Sequence, residues 1–164
     1  MHSEWTDPKI WTALIGVVIG FGLNWSVGWY RRRRENRARF AALNAELGAC
    51  RRMAQSYLDE NVIAPSYRLP MNAYRHSFPG LLGSGVPADQ GDIEAITDYF
   101  SQVETFNRGL DQTQSWVGTD AERLHREHSR NRLKAAQLVA GGNAATTLHD
   151  RAAVVFKRHL GDAA

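Results

Sequence analysis

The sequence predicts an all-α protein, a single N-terminal transmembrane helix continuing into a small cytoplasmic helical bundle. Three observations carry that expectation. The stretch from Ile10 to Tyr30, IWTALIGVVIGFGLNWSVGWY, holds no charged side chain, and as a helix it is about as long as a bilayer's hydrocarbon is thick. Beyond it, apolar residues recur at three- and four-residue spacing, the period of a helix with one buried face. No alternating run bounded by turn residues points to a strand.

The first nine residues (1–9) read as a short extracytoplasmic leader, and 10–30 as the membrane helix. Trp11 stands at one end of it and Trp25, Trp29 and Tyr30 at the other, as an interfacial aromatic belt requires. Arg31, Arg32, Arg33, Arg34, Arg37 and Arg39 follow, against Lys9 alone on the other flank. The positive-inside rule then places the N-terminus outside and the remainder in the cytoplasm, as a single-pass inner-membrane protein. Basic residues that precede an apolar core mark a secretory signal. Here they follow it, and no Ala-x-Ala site does, so the segment reads as a retained anchor. Within it Gly16, Gly20 and Gly28, with Asn24, recur at multiples of four and would form one helix-packing face.

Residues 31–61 read as a basic juxtamembrane helix. Phe40, Leu43, Leu47, Cys50, Ala54 and Tyr57 follow a 3-4-3-4-3 spacing, a seam that would pack with the later helices. Residues 62–91 hold Pro65, Pro70, Pro79 and Pro87 with several glycines and read as a loop, in which Pro70 opens a short helix through Ser77. The bundle proper, 92–164, packs with 36–61. Asp89 would cap a helix running to Trp116, with Ile93, Ile96, Phe100, Val103, Asn107 and Leu110 on its inner face. Gly118 ends it, and Thr119 to Glu122 reads as a capping box for a basic helix to Ala140. A last helix would run from Ala144 to Leu160.

The net charge of +3 and pI of 9.3 are concentrated beside the membrane. Residues 31–52 carry eight arginines against Glu35 and Glu46, whereas the rest of the chain is slightly acidic. That distribution argues for anionic lipid contact through the arginines of 31–39 and against a nucleic acid duplex. The lone Cys50 excludes an internal disulfide. His125 and His128 have no third ligand nearby except Glu122 or Glu127, beside arginines that would repel a cation, and read as solvated, so no metal and no cofactor is expected. Arg123, Arg126, Arg130 and Lys134 form a stripe that either binds an anion or lies against the acidic helix before it. No Walker A, HExxH, CxxC or GxSxG motif is present, which argues against an enzyme.

The function expected is thus a membrane-anchored interaction protein, a subunit or scaffold that forms homo-oligomers or docks partners at the cytoplasmic face. A membrane effector gated by an anionic ligand such as a nucleotide is the alternative, and an enzyme without a readable motif the remaining one.

Overall fold

The computed structural model describes residues 8–60, 62–84, 89–139 and 147–161, with side chains from Leu14 onward. Five helices make up the described chain: α1 (Pro8–Glu60), α2 (Asn72–Leu82), α3 (Gln90–Trp116), α4 (Ala121–Val139) and α5 (Leu148–Leu160). There is no strand among the described residues. The chain divides into two units, residues 1–36 and 37–164.

The first unit is the N-terminal part of α1. Its described side chains are exposed on every face, and among the described residues no helix is long and apolar enough to cross a membrane. The uncharged stretch that can be followed from Leu14 ends at Tyr30, short of the full run, because Ile10, Trp11, Thr12 and Ala13 lie outside the described side chains. The expected leader, 1–9, lies almost wholly outside them as well.

The second unit is a helical bundle. The whole expected seam is buried, from Phe40 to Tyr57, because one α1 face meets the inner faces of the other helices. α3 packs against α4 and α5. Its Ile96, Tyr99, Phe100, Val103, Phe106 and Leu110 are buried as the 3-4 spacing requires. Phe106 meets Tyr57 edge-on at 5.2 Å, Tyr74 stacks on Phe100 at 4.6 Å, and Phe156 meets Phe40 at 6.4 Å. These ring pairs join α1, α2, α3 and α5 through one core.

The helix ends show why the bundle holds its arrangement. Asp89 and Thr147 cap α3 and α5 through the backbone N–H of Asp92 and Asp150. The expected capping box is displaced by one residue. Asp120, not Thr119, accepts the Arg123 N–H, and Thr119 instead donates to the Ser115 carbonyl. Gly118 closes α3 at φ +76°, a conformation only glycine adopts freely. Residues 140–146, where the last helix was expected to begin, lie outside the described residues, and α5 starts at Leu148.

Other ends are capped from a distance. α2 lacks a side-chain cap of its own, and Glu46 of α1 accepts its Ala73 and Tyr74 N–H groups at 2.9 and 2.8 Å. Arg39 donates to the Gly80 carbonyl in the last turn of α2, and Arg37 to the Leu160 carbonyl that ends α5. Arg132 of α4 donates in turn to Leu58 in the last turn of α1. Carbonyls that a helix leaves unpaired are thereby satisfied by neighbours.

The Pro-rich stretch is more ordered than a loop. α2 extends to Leu82, past the Ser77 expected, and runs through Pro79 and Gly80. The extended segment before it is pinned by Asn107, whose side chain accepts the Leu69 N–H and donates to the Leu69 carbonyl. Arg68 reaches Asp111 and Gln114 on α3.

At Gly109 of α3 the side chains of α4 lie directly against the backbone. A Cβ there would collide with the Asn131 side chain, which is fully buried and donates to Thr113 at 2.7 Å. Alanine gains helix propensity, about 1 kcal/mol, but overpacking a tethered buried group costs about 1–3 kcal/mol. Gly109→Ala should therefore lower the urea midpoint. Gly48→Ala, whose Cβ would meet only an Arg52 guanidinium nitrogen at 3.5 Å, should raise stability by about 0.5–1 kcal/mol. Equal shifts in the two variants would contradict the packing.

Candidate functional site

Of the residues singled out from the sequence, the basic stripe is the one closest to a conventional site. The structure keeps it in register along α4 but leaves no member unpaired. Arg123 pairs with Asp120 at 3.1 Å and lies over the Trp116 ring, and Arg126 pairs with Glu122 one turn away. Arg130 and Lys134 share Glu127 at 3.4 and 3.5 Å. The acids that neutralise the stripe thus come from its own helix or the turn before it, rather than from α3. The three arginines are solvent-exposed, so each pair is worth little, but together the three acids offset most of the charge an anion would need.

The arginines after Tyr30 divide between two tasks. Arg31 pairs with Glu35 at 3.0 Å, Arg33 lies 5.4 Å from the Trp29 ring centre, and all four of Arg31 to Arg34 are exposed. Arg37 and Arg39, expected at lipid with the others, donate to helix-end carbonyls inside the second unit.

The inner face of α4 departs from the expectation most. Leu133 is exposed, whereas Glu127, His128 and Asn131 are buried with Ala135 and Leu138. His125 is exposed, but His128 is not solvated. Its Nδ1 lies 2.9 Å from the Tyr57 hydroxyl, and its ring also engages the backbone of Ile63. Burial lowers the His128 pKa below its ordinary value, with Arg132 and His125 adding to the shift, and burial pushes the Tyr57 phenol up to about 12. The neutral ring therefore accepts from Tyr57. The nearby Tyr67 hydroxyl is buried and has no partner among the described residues. No group of three or more His, Cys, Asp or Glu among the described residues is placed to hold a metal ion.

A second buried polar group joins α3 and α5. Asp92 is 4% exposed and accepts from Arg158 at 2.6 Å and His159 at 3.0 Å. The His159 ring stacks on Phe40 at 4.3 Å. Cys50 is no nucleophile. It is fully buried, its thiol donates to the Pro70 carbonyl, and burial pushes its pKa up to about 12.

The glycines of the first unit stand in open space. A Cβ at Gly16, Gly20 or Gly28 would meet nothing within 4 Å, and the Asn24 amide has no partner among the described residues. No family model, curated protein or solved structure matches the chain significantly.

The His128 environment gives a pH dependence with a definite sign. Above about pH 7 both folded and unfolded chains carry a neutral ring there. As pH falls below about 6.5 the unfolded chain takes up a proton that the folded site resists, so stability drops. The urea midpoint should fall between about pH 7.5 and 5.5. His128→Gln should lower it at both values and reduce the difference. An unchanged difference would mean that other histidines carry the titration.

Proposed function

We propose that the protein is a membrane-anchored helical interaction protein, with the first unit in the bilayer and the bundle of the second unit docking partners at the cytoplasmic face of the inner membrane. The observation that carries this reading is the surface of α1 between Leu14 and Tyr30. Its large apolar side chains, from Leu14 to Tyr30, are all 54–76% exposed, and they cover every face of the helix. A helix apolar all round is stable only in a core or in lipid. Ser26 donates to the Gly22 carbonyl at 2.6 Å, so its hydroxyl needs no solvent. Exposed arginines begin immediately after Tyr30, where a headgroup region would hold them. With Ile10 to Ala13 the run reaches the length of a span.

The open glycine face supports association of the span with another helix, a second copy or a different subunit. Glycines allow close backbone approach, and Asn24 lies in register to hydrogen-bond across it. The basic stripe is internally paired, so nothing at that site favours the ligand-gated alternative.

Alkaline carbonate extraction of membranes tests the anchor. The full chain should remain in the pellet, and a chain starting at Asn36 should be released. Release of the full chain would overturn the reading. Association has its own test. Gly20→Leu adds bulk without lowering hydrophobicity and should reduce the assembled mass in mild detergent, whereas Val18→Leu should not. An unchanged mass in Gly20→Leu would leave the glycine face without a role.

A further inference from the structure

A cavity of about 230 Å³ opens inside the second unit, between α1, α2, α3 and α5. Phe40, Phe78, Leu81, Ile96 and Val155 form its apolar wall, and Asp92 is the one polar residue that lines it. Leu82 and Ile93 also line it and are less buried than the rest, which places them at its mouth. An apolar cavity of about 150 Å³ in another protein is dry and takes up benzene. This one is larger, and its wall carries an acceptor.

We propose that the cavity is a binding site for a compact, neutral aromatic ring system bearing one hydrogen-bond donor, of the size and polarity of indole. The volume suits a fused bicycle better than a single ring. The wall excludes charged or strongly polar ligands, which would lose their hydration without replacement. The donor is called for by Asp92, since an ionised carboxylate is acceptor-only and holds about four lone-pair sites. Arg158 and His159 occupy one position on each oxygen, which leaves further acceptor capacity. Arg158 also offsets the carboxylate charge, so a neutral N–H fits where a cation would meet the guanidinium. The stack of His159 on Phe40 fixes the acceptor before a ligand arrives. None of this depends on the membrane reading.

Thermal unfolding of the full chain in mild detergent, titrated with indole, tests the site. The midpoint should rise with indole and saturate, as binding to the folded state alone requires. Indene, which has the same shape and no N–H, should need about tenfold more to give the same rise, the discrimination expected of one hydrogen bond to a charged acceptor. Ile93→Trp should close the mouth and abolish the rise, and Leu82→Trp provides a second closure should the first fail to fold. Leu133→Trp on the exposed face of α4 should leave the rise intact, which removes any effect of indole dissolved in detergent. No saturable rise, a rise that survives closure, or equal potency of indene would overturn the proposal.

Discussion

The bundle depends on the C-terminal part of α1 serving its neighbours as a source of caps. A helix leaves four N–H groups and four carbonyls unpaired at its ends, and burying them unsatisfied is costly. α2 has little means of its own. Met71 at its N-cap offers no acceptor, and Pro79 removes a donor inside it. Glu46 supplies the missing acceptor to two N–H groups, and seven residues earlier Arg39 supplies a donor to Gly80. One face of α1 thus holds both ends of α2, and Arg37 reaches the end of α5. Charged hydrogen bonds of this kind are roughly twice as strong as neutral ones and fix direction as well as distance. The apolar seam from Phe40 to Tyr57 supplies burial, while these polar contacts select which helix lies where.

This division explains what could be read from the sequence. The seam, the inner face of α3 and the Asp89 cap were legible because each is a local pattern, a spacing or a residue beside the helix it starts. Remote caps leave no such trace. Arg37 and Arg39 sit in a run of arginines whose composition signals lipid, and only the positions of Leu160 and Gly80 in space give these two another use. His128 was read as solvated for a related reason. No apolar spacing marks the face of α4 that packs, which is built from His128, Asn131 and Glu127. Polar residues become core residues only when partners such as Tyr57 and Thr113 arrive from other helices. Asn107 was placed on the inner face for its spacing, and its two bonds to Leu69 show a polar reason for that position.

Charge had to be located before it could be interpreted. The chain's net charge of +3 would suit an anionic ligand if it were concentrated on one free surface. On the α4 stripe most of it is offset, because Asp120 and Glu122 each hold one basic group and Glu127 is shared by two. Arg32 and Arg34 are exposed, and no acid among the described residues pairs with either, as also holds for Arg51, Arg52 and Arg75. Part of the surplus that remains for a partner therefore lies directly after Tyr30, next to an apolar surface.

That adjacency bears on what the first unit can be. Exposed apolar residues on a water-soluble protein are usually scattered or confined to one patch that a partner covers. From Leu14 to Tyr30 they surround the helix, and a protein partner would have to enclose it completely to remove them from water. Lipid does so without specific contacts, and leaves the Asn24 amide, away from the aromatic end of the stretch, in need of a hydrogen-bonding partner. On the proposed membrane reading, that one amide, in register with Gly20 and Gly28, would decide whether the helix stays alone. Two copies packed on that face would each supply a donor and an acceptor to the other, so the same residue that makes a solitary span costly makes a paired one specific.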